Sequence, residues 1–279
     1  MLELQNIHFN VPGRQLLSDV SCNIRSGALT AVMGANGAGK STLLKAVSGE
    51  IKISGGQILW NKQHMDTYDP KELSKKRSFL RQNYALQLPF TAYEIVEMGR
   101  YPYFHSRATA RCRQVIEETS TYVGIQHLLK RNYLTLSGGE QQRVQLARVL
   151  AQVWDAPEGQ RLVMLDEPVS ALDIHYQHQL LGLVYDLAHH KGYTVLAILH
   201  DINLAFQYAD DVLLLKDGHK VAFGAQNDVF SEETILETFG VSVSLHQPPG
   251  YAHRYITVDG RRLATTTHFM QEHNNYSFK

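Results

Sequence analysis

The sequence predicts an α/β fold built on a parallel sheet. Three observations carry that prediction. Apolar runs of strand length recur along the chain, stretches of helical spacing separate them, and several runs stop abruptly at glycines, paired acids or a histidine. Residues 2–9 alternate apolar and polar side chains as a half-buried strand does. Pro12-Gly13 marks a turn, residues 16–24 read as a second strand, and Ser26-Gly27 turns the chain again. Residues 29–33 form a short apolar run that ends at a glycine-rich loop, and residues 41–48 have helical spacing. Gly55-Gly56 breaks that pattern before residues 57–60 resume strand character.

Residues 93–99, 108–122 and 138–153 all read as helices with no convincing strand among them, so a helical lobe is expected between roughly residues 88 and 152. Residues 161–165 are an apolar run ending in two carboxylates, residues 193–199 are another ending at His200, and residues 212–215 are a third, closed by Asp217-Gly218. After Gly224 the pattern is weak, and the polar last fifteen residues are expected to be loosely ordered.

The 279 residues suffice for one large domain or two small ones with a real core. Twenty-seven Lys and Arg balance twenty-seven Asp and Glu, which argues against a nucleic-acid binder driven by surplus positive charge. Mean hydropathy is −0.25, and no uninterrupted apolar stretch approaches the length of a membrane span. Cys22 and Cys112 cannot make a disulfide framework, and the start MLELQNIHFN lacks a secretory pattern. A soluble protein of a reducing compartment is the expectation.

The loop after the third strand reads Gly34-Ala35-Asn36-Gly37-Ala38-Gly39-Lys40-Ser41, followed by Thr42. This fits the phosphate-binding P-loop, and it follows a strand and opens a helix, as that loop requires. A triphosphate can be surrounded by backbone N–H groups only where side chains do not block the approach, which glycine permits. The helix that follows points its positive end at the phosphates. Lys40 would reach the β- and γ-phosphates, and the Ser41 hydroxyl would ligate Mg²⁺.

The run Leu162-Val163-Met164-Leu165 ends in Asp166-Glu167. Such a strand beside the loop's strand would put Asp166 near Mg²⁺, with Glu167 placed to orient and deprotonate an attacking water. His200, at the end of its own strand-like run, is expected at the carboxyl edge of the sheet, where ligands of open α/β sheets gather. Alone, an acidic turn or a strand-end histidine means little; the loop upstream gives both their weight.

Leu136-Ser137-Gly138-Gly139-Glu140-Gln141-Gln142-Arg143 has the Ser137–Glu140 spacing of a helix capping box, and its glycines leave N–H groups open at a helix N-terminus. Taken with GANGAGKS upstream and LDEP downstream, this segment resembles the signature of the ATP-binding-cassette (ABC) ATPases. The resemblance spans about residues 2–225 with the motifs in the family's order. Gln82 matches the family's Q-loop glutamine, Ser170-Ala171-Leu172-Asp173 its D-loop, and His200 its switch histidine.

The resemblance implies a P-loop NTPase (RecA-like) core sheet with a helical ABC subdomain and a small N-terminal antiparallel β subdomain. Residues 1–225 would form the ATPase domain and residues 226–279 a C-terminal extension. It further implies ATP and Mg²⁺ as ligands, with Ser41, Gln82 and Asp166 around the metal and Glu167, His200 and Gln82 as the catalytic set. Two copies would pair head to tail, each ATP lying between residues 34–42 of one chain and Ser137, Gly138, Gly139 and Glu140 of the other. One departure stands out: Val11 occupies the position where the family commonly stacks an aromatic ring on adenine, which leaves Phe9 or His8 as neighbours that could supply the contact.

A single cassette without a span suggests a subunit that works with separate membrane proteins. Glu97-Met98-Gly99-Arg100-Tyr101-Pro102-Tyr103 resembles the segment found in importers of iron-siderophore, cobalamin and haem complexes. Residues 85–103, from Ala85 onward, are therefore the expected docking surface for two copies of a permease, itself served by a periplasmic substrate-binding protein, at the cytoplasmic face of a bacterial inner membrane. The long segment of residues 152–160 and the Ser-Ala-Leu-Asp loop resemble the haem (hemin) import ATPases most; ferric-siderophore or cobalamin import is the alternative. Direct haem ligation by the 14 histidines is not expected, since nothing pairs two of them. Soluble ABC proteins of DNA repair or translation usually carry paired cassettes, coiled-coil or zinc insertions and basic surfaces, none of which is legible here. Glu167 and His200 argue against a non-catalytic nucleotide binder, and the residue 99–103 segment against an exporter subunit.

Overall fold

The computed structural model describes residues 1–82, 88–104, 108–170 and 172–259. In chain order the strands are β1 (Leu2–Val11), β2 (Arg14–Ile24), β3 (Leu29–Met33), β4 (Gly55–Trp60), β5 (Gln63–His64), β6 (Arg77–Leu80), β7 (Leu162–Leu165), β8 (Thr194–Ile198), β9 (Asp211–Lys216), β10 (His219–Ala225), β11 (Val243–His246) and β12 (Tyr255–Val258). The helices are α1 (Lys40–Ser48), α2 (Pro70–Ser74), α3 (Ala92–Met98), α4 (Ala110–Val123), α5 (Gly138–Val153), α6 (Ile174–Lys191), α7 (Ile202–Tyr208), α8 (Gln226–Val229) and α9 (Glu232–Phe239).

A six-stranded sheet runs in the order β10-β9-β3-β8-β7-β6, parallel throughout except for the β9–β10 hairpin at its edge. Every residue of β3, β7 and β8 is buried, as expected of strands covered on both faces. Against one face lies an antiparallel sheet, β2-β1-β4-β5, whose inward residues Leu2, Leu4, Ile7, Leu17 and Trp60 join α1 and the underside of the large sheet in one apolar cluster. The expected parallel α/β core and the small antiparallel unit are both present.

The other face carries the larger cluster, which runs without a break from β3 and β8 through α5 and α6 into α3 and α4. Helix α5 makes that continuity. It packs with α3 and α4, and near its end Gln152 Nε2 donates to the carbonyls of Ser74 and Arg77 at 2.8 and 2.9 Å, fastening it to β6. Residues 226–259 also join this core: Phe230 meets Phe206 with ring centroids 4.7 Å apart, and Asn203 Oδ1 accepts the Ile256 N–H at 2.8 Å. The expectation about the last fifteen residues lies outside the described residues.

One expectation about neighbours needs correcting. The strand bearing the paired acids is not beside the loop's strand; β8 lies between β7 and β3. The acids still reach the loop because the helix leaving β3 carries Ser41 across that intervening strand.

Candidate functional site

Strand register builds the site. In the parallel ladder Leu80 lies opposite Leu165, Leu165 opposite Ala197, and Ile198 opposite Val32. Four strands thus end on one edge, and the residues just past those ends are Gln82, Asp166 with Glu167, His200 and Gly34. This is the carboxyl edge, where the crevice of an open parallel sheet forms.

The loop of residues 34–39 is held by backbone contacts that exclude side chains. Gly34 has φ +151°, and a Cβ there would stand 2.1 Å from the Leu215 carbonyl oxygen. Gly39 has φ +100° and would set a Cβ 2.8 Å from the Leu16 carbonyl oxygen. Gly39 is also the N-cap of α1, and no side chain caps that helix. Its first-turn N–H groups therefore stay available to an anion, with the helix dipole behind them.

Lys40 is only 6% exposed and folds back over the loop, where its ammonium donates to the carbonyls of Gly34 at 2.8 Å and Ala35 at 3.0 Å. Burial pushes its pKa down, against the opposing charges of Glu167 and Asp166. The Ser41 hydroxyl donates to Asp166 Oδ1 at 3.1 Å. Asp166 is 5% exposed, and burial holds its carboxyl above the usual carboxylate range; the Ser41 hydrogen bond and the nearby lysines work against that shift and the Glu167 charge adds to it.

Glu167 sits between two partners. One carboxylate oxygen accepts from Gln82 Nε2 at 2.5 Å, and the other lies 2.8 Å from His200 Nε2. Its backbone is left-handed, at φ +52°, a conformation that is rare outside glycine and is kept only where the surroundings hold it. Gln82, Asp166, Glu167 and His200 are therefore brought together with the loop, as the sequence predicts.

A cleft of about 240 Å³ opens over the loop, lined by Asn36, Lys40, Thr42 and Glu167 on one side and by Arg14 and Leu16 of β2 on the other. Sequence reading missed Arg14 and Leu16. The signal that could have found them is the two-residue Pro12-Gly13 hairpin, which sets Arg14 directly across from Val11. Among the described residues lining this cleft, none comes from the segment of Ser137 to Glu140.

That segment lies elsewhere, as the start of α5. Ser137 and Glu140 form a reciprocal capping box: the Ser137 N–H donates to Glu140 Oε2 at 2.8 Å, and the Glu140 N–H donates to Ser137 Oγ at 3.4 Å. The first of these bonds is the main reason that the Glu140 carboxyl is held below its ordinary value. Gly138 has open space where a Cβ would stand, and Gly139 faces the Tyr176 ring at 3.4 Å. Asp173 caps α6 by accepting the Tyr176 N–H, while Ala171 lies outside the described residues.

The residue 99–103 segment is anchored to the end of α5. Arg100 is 1% exposed; its guanidinium donates to the Ala151 carbonyl and to Asp155 and stacks 3.6 Å from the centre of the Tyr103 ring. Tyr103 in turn donates to the Gln152 carbonyl. Among the described residues of 85–103 the exposed ones are Leu88, Pro89, Glu94 and Tyr101, and Ala85 lies outside the described residues.

A glycine cradle at a strand-to-helix turn, a lysine folded onto it and a serine–aspartate pair beside it define a P-loop nucleoside triphosphatase. Residues 17–170 match the family model described as ABC transporter. The chain is 42% identical over 250 residues to the hemin import ATP-binding protein HmuV of Gloeobacter violaceus, covering 89% of this chain and 90% of that one. It is 36% identical to the protein of the same name from Escherichia coli O157:H7, covering 93% and 100%. Among solved structures, one described as a metal-chelate type ABC transporter in an inward-facing conformation superposes with a TM-score of 0.79 at 27% identity, covering 92% of this chain and 96% of that one. A dimeric bacterial ABC transporter cassette gives 0.69 at 28%, covering 81% and 99%. The chain belongs to the ABC transporter family, as an ATP-binding subunit that hydrolyses ATP. Such subunits act as dimers with a transmembrane permease, and among the described residues no helix is long and apolar enough to cross a membrane.

Proposed function

We propose that this chain powers the import of haem (hemin) through a separate permease, pairing head to tail with a second copy around two ATP molecules. The observation that carries the pairing is the split between two half-sites. The loop's cleft has a cradle and a carboxylate, while the N–H groups of Gly138 and Gly139, between the two capped residues Ser137 and Glu140, have no hydrogen-bond partner among the described residues. An anion shared between two copies completes both. The names of the curated relatives support haem as cargo; ferric siderophore or cobalamin is the second reading.

In this reading residues 34–42 bind the phosphates, Lys40 moves from the loop carbonyls to the β- and γ-phosphates, and Glu167 takes the proton of the attacking water. His200 and Gln82 orient that carboxylate and the γ-phosphate. The donor set suits Mg²⁺: a buried carboxylate already hydrogen-bonded to a serine hydroxyl is an arrangement of hard oxygen ligands. Ser41, Asp166 and Gln82 would hold the ion, which would neutralise phosphate charge. Residues 1–225 act as the ATPase domain, with the helical subdomain at about 88–152, and residues 226–279 as the extension. The permease docks near residues 85–103 at the cytoplasmic face of the inner membrane, fed by a periplasmic binding protein. Support for that face comes from the exposed Tyr101 and Leu88 and from the neighbouring cleft at Glu50, Arg77 and Arg81.

Two measurements test this. Glu167→Gln is expected to keep ATP binding, lose about 10²- to 10⁴-fold in hydrolysis and elute as a dimer with ATP. Rapid turnover or a persistent monomer contradicts the assignment. The membrane protein that co-purifies with the chain, reconstituted in vesicles, is expected to move haem in preference to ferric siderophore or cobalamin; the reverse preference installs the second reading.

A further inference from the structure

Among the described residues lining the cleft over the loop none is aromatic, and the geometry points to Arg14 as the platform for the base: we propose that the nucleotide base lies on the Arg14 guanidinium. This rests on the reading of residues 34–42 as the phosphate site. The residues that the sequence offers for stacking are unsuited in the fold. His8 Nδ1 already accepts the Asp19 N–H at 3.3 Å and contacts Gln15 at 3.4 Å. Phe9 packs on the apolar cluster beneath the antiparallel sheet. Val11 has no ring.

Arg14 has what those residues lack. It is exposed, and its side chain makes no hydrogen bond or ion pair among the described residues. It lines the cleft over the loop together with Leu16, the extra residue of a bulge in β2, and lies opposite Val11. Strand β2 touches the loop at Leu16, whose carbonyl crowds Gly39, and Ser18 N–H bonds the Gly218 carbonyl while Gly218 N–H bonds that of Ala38. Arg14 therefore stands further out along β2 than the contact with the loop, where a nucleoside extending from phosphates held by the loop would reach it. A guanidinium is planar and stacks on aromatic faces; Leu16 gives the base an apolar edge. A platform of this kind reads the π face of a base and not its hydrogen-bonding edge, so it accepts guanine as well as adenine.

Titration calorimetry on the full chain in EDTA, with ATP, GTP and inorganic tripolyphosphate, tests the assignment. The native chain is expected to bind ATP and GTP within about threefold of each other. Arg14→Ala is expected to weaken both by about five- to tenfold while leaving tripolyphosphate unchanged, and Arg14→Tyr to restore them. Equal losses for tripolyphosphate would make Arg14 a phosphate ligand and overturn the proposal, as would unchanged ATP affinity in Arg14→Ala. Lys40→Ala separates the two levels. It is expected to weaken all three ligands; if it changes none, the phosphate site itself is misread, whereas its expected effect beside an inert Arg14→Ala removes only the base platform.

Discussion

The two glycine-bearing segments of this chain are built on opposite terms. The loop at residues 34–39 is locked into the core of its own chain, so tightly that Gly34 has no room for a methyl group. The start of α5 is capped and rigid, yet Gly138 faces open space. Glycine at position 34 is demanded by the fold. Among the described residues nothing crowds a Cβ at position 138, so packing does not demand glycine there, and the proposed pairing of two copies gives it a use.

Substitutions can break this contrast. The largest effect is expected at Gly34→Ala, where the new Cβ collides with a backbone carbonyl that cannot swing away; a loss of more than about 4 kcal/mol should lower the melting temperature by about 10 °C or prevent folding. Gly138→Ala should melt within a degree or two of the native chain yet lose on the order of 10- to 100-fold in ATPase rate, since a methyl group intrudes on the anion-facing N–H groups. Equal thermal losses in both variants would erase the distinction. A smaller effect sharpens it. Burial raises the Asp166 carboxyl in the folded chain, so ionising it costs stability that the unfolded chain does not lose. Stability should fall as pH climbs from the ordinary value of 3.8 into the raised range and stay lower above it. Asp166→Asn should therefore flatten this dependence and raise the neutral-pH melting temperature by roughly 2–4 °C while abolishing hydrolysis; a lower melting temperature would show that Asp166 serves the fold and not the ligand.

What was legible in the sequence follows from local rules. Strand β3 and helix α5 carry their full pattern within their own residues, an apolar run into glycines and a capping box ahead of a periodic stripe, and both have the bounds that the sequence predicts. Helix α6 went unread because its first turns are rich in histidine and glutamine, Ile174 is 74% exposed, and Gly182 interrupts the middle. Strands β10 and β11 are half-buried without clean alternation and β12 is mostly exposed, so no period marks them. At the site, the motif residues were readable because each sits at a strand end. Arg14 was not, because its importance depends on a cross-strand register. Arg100 lies inside the segment expected to dock a permease yet is itself buried, because Asp155 and the Ala151 carbonyl, fifty residues on, draw it inside.

Glu167 spends one oxygen on Gln82 and the other on His200. With both oxygens taken in the single chain, a water molecule reaches that carboxylate only by displacing one of these two side chains.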